Sequence, residues 1–214
     1  MTPREQEIIQ LIRKEVKPAL GCTEPIAVAL AVAKAMETAQ DNCSDLKESW
    51  RYAADYMLSI QVSGNILKNG MGVGIPGTGM VGLHIAAALG AVCGKSSYGL
   101  EVLHDLDNAA ISKAKEIAQT VDISLAETDH KLYVKASVTL KNGHISCAVI
   151  EDDHDRIVET WYDSTLLTSL RGTEGQQDMN PDKSPLEYGL TVKEIFDFSI
   201  STTITIKNLF SFVV

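Results

Sequence analysis

Residues 26–33, IAVALAVA, form an unbroken apolar run within the stretch PALGCTEPIAVALAVAKAM at 18–36. A helix built from this run is apolar on nearly every face, so it has no side to turn to water and must be wrapped by other elements. The run is far shorter than the roughly 20 residues needed to cross a bilayer, and Lys34 and Glu37 close it. The chain must therefore fold around this segment, and 214 residues suffice to do so as one large domain or two small ones.

The elements available to wrap it can be read from periodicity. Thr2 and Pro3 can cap a first helix, whose Ile8, Ile9, Leu11, Ile12 and Val16 recur at helical spacing, and which stops at Lys17-Pro18. The core helix is expected from about Thr23 to Gln40, and Tyr56 to Val62 alternates as a strand does. A glycine-rich stretch follows, which turns into a third apolar helix from Gly79, and a fourth helix spans Asp107 to Thr120. After it, ISLAE, KLYVKASVTL, HISCAVIED and RIVETWYD alternate with β-branched residues, and Asn142-Gly143 marks a hairpin. Residues 122–162 read as an antiparallel meander, which Tyr56 to Val62 can join. Residues 170–186 are a polar loop, and Thr191 to Phe198 opens a short helix. The last sixteen residues, SISTTITIKNLFSFVV, hold a single charge. They read either as one more strand, Thr202 to Ile206, or as foreign sequence that interrupts the helix begun at Thr191. Helices first and hairpins later spell an α+β fold, apolar core helices packed with a β-meander.

Several functions are disfavoured. A net charge of -9 without a Lys/Arg cluster does not suit a nucleic-acid surface. The first residues, MTPREQEIIQLIRKEVK, are charged and amphipathic and lack the central apolar block of a secretory leader. The expected setting is the cytoplasm, with no membrane partner. The cysteines at 22, 43, 93 and 147 form no Cys-x-x-Cys and no disulfide framework is expected.

Two stretches can carry chemistry. In the first, Gly21-Cys22-Thr23-Glu24-Pro25, Thr23 is expected as N-cap and Pro25 in the first helical turn. Free amides and the positive end of the helix dipole then face the Cys22 thiol, lower its pKa and favour the thiolate. The same elbow also suits an inert thiol that fills a gap. The second stretch is SGNILKNGMGVGIPGTGMVG, with six glycines between 64 and 79, which permit close backbone approach to a carboxylate or phosphate. It is no Walker A, lacking Gly-Lys-Ser/Thr, and Pro76 breaks any dinucleotide fingerprint. A glycine-lined turn between core helices is the plainer reading. Asn65, Lys68 and Asn69 can orient a ligand or cap turns. His84 lies close after the loop as a second-rank acid or base, although a hydrogen-bonded core histidine is commoner. His104 with Asp105 could be a metal pair or a helix start, and EDDHDR at 151–156 reads as a solvated hairpin loop.

KPALGCTEPIAVALA, SGNILKNGMGVGIPGTGMVGLHIAAALGA and LTVKEIFDF together resemble the iron–sulfur-dependent L-cysteine desulfidases, relatives of the serine dehydratase alpha chain. The resemblance covers residues 4–198 and implies an α,β-elimination that releases hydrogen sulfide, ammonia and pyruvate from L-cysteine. It implies a [4Fe–4S] cluster with one iron free to act as a Lewis acid. By the same resemblance Cys22 is the base that removes the α-proton. The resemblance also implies that Asn65 and the loop from Gly70 to Gly79, with Gly77, Thr78 and Gly79, hold the amino acid's carboxylate; Thr23 and Glu24 of the elbow, with Lys68 and Asn69, are further candidates for substrate binding. The family's cluster cysteines belong to a C-terminal half without counterpart here, and Cys43, Cys93 and Cys147 fall in none of its cluster motifs. Residues 1–198 thus read as the N-terminal half of such a domain and 199–214 as a divergent tail, the mark of a truncated product. The implied partners are a complementing C-terminal half or a second copy. The alanine-rich helices are expected to leave apolar surface exposed and to promote self-association. The other readings are an L-serine deaminating dehydratase, a non-catalytic carboxylate-binding fragment or subunit and, least of all, a nucleotide-binding domain.

Overall fold

A computed structural model of the chain describes residues 2–46, 49–171 and 189–201. It comprises two compact units, a large one from Pro18 to Gly172 and a small one built from the chain on either side. In the small unit, helix α1 (Pro3–Glu15) begins with a capping box, as the sequence leads one to expect. The Thr2 hydroxyl accepts from the Glu5 amide at 3.2 Å, and the Glu5 carboxylate accepts from the Thr2 amide at 2.6 Å.

The large unit is the α+β fold proper. Its centre is α2 (Thr23–Asn42), in which every residue from Pro25 to Ala33 is buried. Cys22, not Thr23, is the N-cap, and Thr23 takes the first helical position. After α3 (Trp50–Ala53) come β1 (Tyr56–Val62), α4 (Gly64–Gly70), a small hairpin of β2 (Gly74–Ile75) and β3 (Met80–Val81), and α5 (Leu83–Cys93). The third helix thus starts at Leu83 rather than Gly79, because the intervening residues pair as the hairpin. α5 packs tightly on α2: a Cβ on Gly90 would lie 2.3 Å from the Ala29 carbonyl oxygen. Neither backbone can yield without breaking helical hydrogen bonds. Gly90→Ala is therefore expected to cost about 2 kcal/mol or more and to lower the melting temperature by roughly 5 °C, as calorimetry would show.

Helix α6 (Asn108–Ile117), capped by Asp107, which accepts from the Ala110 amide at 2.7 Å, leads into the main sheet. Its strands are β4 (Asp122–Leu125), β5 (Tyr133–Leu140), β6 (Ile145–Glu151), β7 (Ile157–Tyr162) and β8 (Thr165–Ser169). With β1 they form six strands in the order β4-β1-β5-β6-β7-β8. β1 does join the meander, but inside it. It runs parallel to β4 and antiparallel to β5, so β4 and β5 are not neighbours. β8 extends the sheet beyond the expected end at residue 162. Leu58, Ile60, Val134, Ala136, Val138, Ala148 and Ile150 are buried on the face that meets α2, where the Ser146 hydroxyl donates to the Ala35 carbonyl at 2.8 Å. The opposite face carries Ser59, Gln61, Lys135, Ser137 and Thr139.

The alanine-rich helices therefore do not expose the apolar surface expected of them. Their alanines are wholly buried between the sheet and each other. In the small unit the second helix, α7 (Val192–Ser201), continues past Phe198 without interruption. The strand expected at Thr202–Ile206 and most of the polar loop at 170–186 lie outside the described residues. Among the described residues no helix is long and apolar enough to cross a membrane.

Candidate functional site

The cysteine elbow and the glycine loop, far apart in sequence, meet in the structure. Gly21 has φ +107°, and a Cβ there would lie 2.8 Å from Pro76 Cγ in the turn between β2 and β3. Only glycine fits this approach. Cys22 follows with extended backbone, exposed at the mouth of α2. Its thiol donates to Glu24 Oε2 at 2.8 Å, and Glu24 Oε1 accepts from Asn69 Nδ2 of α4 at 3.3 Å. Asn69 shares an exposed face of α4 with Asn65 and Lys68, since positions three and four apart align along a helix.

This geometry reverses the expected charge on the sulfur. The Glu24 carboxylate, which accepts the thiol hydrogen bond, raises the Cys22 pKa above the ordinary thiol value, and partial burial adds to the shift. The hydrogen bond from Cys22 lowers the pKa of Glu24, helped by Asn69 and by the nearby charge of His154. The anion at the positive end of α2 is thus Glu24, and Cys22 rests as a thiol with a ready acceptor for its proton. The dipole argument considered the sulfur alone and overlooked a carboxylate in the same first turn.

The other expected residues divide. Thr78 is committed to the turn, its hydroxyl donating to the Ile75 carbonyl at 2.7 Å and accepting from the Met80 amide at 3.0 Å. Gly77 and Gly79 shape that turn with positive φ. At Gly72 and Gly74 φ is ordinary and a Cβ would meet nothing within 4 Å, so neither packing nor backbone strain requires glycine there. Thr23 is half-buried in the first turn of α2. His84 is half-buried on α5 and has no side-chain hydrogen bond among the described residues, so nothing ties it to the thiol. His154, in the turn between β6 and β7, acts on Glu24 through its charge alone and more weakly than Cys22 or Asn69.

His104 and Asp105 pair with each other, Nδ1 to Oδ1 at 3.0 Å, and Asp105 also pairs with Lys95. Among the described residues no group of three or more His, Cys, Asp or Glu is placed to hold a metal ion. Cys43 is buried, and Cys93 and Cys147 are half-buried on separate elements. The described residues thus offer an iron–sulfur cluster no ligand set, and no step is derived through one.

The elbow thus sets an exposed thiol and its carboxylate partner beside a glycine-rich turn. Particular relatives can be set beside it. The chain is 41% identical over 205 residues to a UPF0597 protein of Bacteroides fragilis, a match that covers 94% of this chain and 44% of that protein. It is 45% identical over 167 residues to one of Parabacteroides distasonis, covering 77% of this chain and 36% of the relative. For one of Dichelobacter nodosus the figures are 38% over 212 residues, 96% and 44%. The chain spans less than half the length of these curated relatives, and their names state no reaction. No family model and no solved structure matches the chain.

Proposed function

We propose that the elbow and the glycine loop are the proton-handling and substrate-binding part of a carbon–sulfur lyase that acts on L-cysteine. The reading is supported above all by the Cys22 thiol, exposed and 2.8 Å from the Glu24 carboxylate at the mouth of α2. Transfer of the thiol proton to Glu24 leaves a thiolate that can accept the substrate's α-proton. The electron pair released at Cα then forms the Cα–Cβ double bond as the Cβ–S bond breaks and hydrosulfide leaves. The aminoacrylate takes up water and yields pyruvate and ammonia, while Glu24 gives its proton to the hydrosulfide and Cys22 keeps the α-proton, which restores the thiol and the carboxylate. Lys68, Asn65 and Asn69 face the ligand side of α4, where a cation and two amides suit a carboxylate. The open space at Gly72 and Gly74 leaves room for the backbone to approach it. The reaction belongs in the cytoplasm, where a free thiol stays reduced.

The polar α4 face equally supports a second reading, a subunit that binds a small carboxylate without turning it over, and L-serine is the alternative substrate. Sulfide release from L-cysteine, set against pyruvate formation from L-serine, separates these. The assay is run on this chain alone and joined to the part of the Bacteroides fragilis relative without counterpart in it. Cys22→Ser is expected to lower sulfide release by roughly 10²–10⁴-fold while leaving the melting temperature unchanged. A serine variant as active as the parent would remove the assignment. Saturable cysteine binding with no sulfide in either form would leave the carboxylate-binding reading.

A further inference from the structure

Helix α7 has no buried residue. Its exposed side chains are not scattered: Val192, Ile195, Phe196 and Ile200 are 85%, 52%, 60% and 69% exposed and recur at helical spacing along one face. The opposite face carries Glu194, which accepts from Arg4 Nε of α1 at 3.2 Å, and the half-buried Phe198. A capping box starts the helix: Thr191 Oγ1 accepts from the Glu194 amide at 3.2 Å, and Glu194 Oε2 accepts from the Thr191 amide at 2.8 Å. A cap, the Arg4–Glu194 pair and an exposed Lys193–Asp197 pair are little to hold a ten-residue helix, since isolated helices shorter than about 12 residues are marginal in water and proteins stabilise them by packing an apolar face.

We propose that this stripe of α7 is the seat of the polypeptide that makes up the unmatched part of the relatives, joined to this chain as one molecule. Two observations commit the stripe to that occupant. More than half the length of each relative described above has no counterpart here, so a body of protein remains to be placed against these residues. The stripe is also too small for an encounter between free molecules. Four side chains fall well short of the roughly 800 Å² per partner that a stable complex buries, which argues against a second copy of the chain. A seam of this size suffices when the partner is tethered, because the effective concentration is then high without further contacts. This inference is independent of the lyase reading.

The test uses an Ile195→Glu, Phe196→Glu double variant. In the 214-residue chain it is expected to leave the melting temperature and the exchange of the α7 amides unchanged. A fall in either would show that the stripe is already packed within the chain and would overturn the proposal. A micromolar dimer of the parent that the variant abolishes would assign the stripe to a second copy and likewise overturn it. In a single polypeptide that continues residue 201 with the unmatched part of the Bacteroides fragilis relative, the α7 amides should exchange at least tenfold more slowly than in this chain. The double variant should restore fast exchange there. Equal exchange with and without the added part refutes the assignment.

Discussion

Glu24→Gln is expected to make Cys22 more reactive toward alkylating reagents and the protein a poorer catalyst. The two effects have opposite signs because Glu24 does two things to one proton. As an anion it raises the thiol's pKa, so near neutral pH the sulfur is less ionised than a free cysteine. The amide of glutamine removes that charge. The pKa then falls, and each unit of fall gives about tenfold more thiolate below it. The pH profile of iodoacetamide labelling, read on the Cys22 peptide by mass spectrometry, should therefore shift to lower pH. Labelling at neutral pH should speed up severalfold. Sulfide release should nevertheless drop by roughly 10²-fold or more, since the acceptor for the thiol proton is gone. A labelling profile that does not move would break the thiol–carboxylate pair. A profile that moves while turnover stays intact would show that the pair exists but carries no proton in catalysis.

The largest effect on stability is expected at Arg171. Glu151 stands on β6 with a side chain only 5% exposed, and Glu159 on β7 with one 11% exposed. Arg171 bridges them. Its Nε donates to Glu151 Oε2 at 3.2 Å, its Nη2 to Glu151 Oε1, and its Nη1 lies 3.3 Å from Glu159 Oε1. Trp161 Nε1 adds a 3.1 Å donor to Glu159, but Arg171 is the cation that bridges both acids. Arg171→Ala leaves two buried carboxylates side by side. Breaking a fully buried pair costs 3–5 kcal/mol; the half-exposed guanidinium puts this one at about 3 kcal/mol, a fall of roughly 6–12 °C in melting temperature. Arg171→Lys should recover part of the loss, keeping the charge but not the two-pronged geometry. An alanine variant that melts with the parent would mean that the carboxylates find other partners.

Local chemistry made much of the fold legible. Thr2 and Pro3 announced the start of α1, Asn142-Gly143 the turn between β5 and β6, and the all-apolar face of α2 its central place. What stayed hidden was long-range. Nothing within Tyr56 to Val62 says that it pairs with β4 on one side and β5 on the other, because alternation defines a strand without naming its neighbours. The site divided along the same line. Cys22 and the glycine loop could be picked out, but their contact through Gly21 and Pro76 appears only in the structure. The state of the sulfur was not legible either, although Glu24 stands only two residues away. Dipole and side chain compete for one proton, and which prevails depends on a rotamer that a sequence does not display.

The path of the chain between β1 and β4 carries a practical consequence. Those strands lie side by side, and α4, the β2–β3 hairpin, α5 and α6 all belong to the excursion between them. The exposed residues of α4 and the hairpin are thereby mounted on a cassette anchored at both ends in one sheet. A library confined to Asn65, Lys68, Asn69, Gly72 and Gly74 would vary that cassette without touching the strands beneath it. Selection for new amino-acid preferences could then proceed without eroding the scaffold.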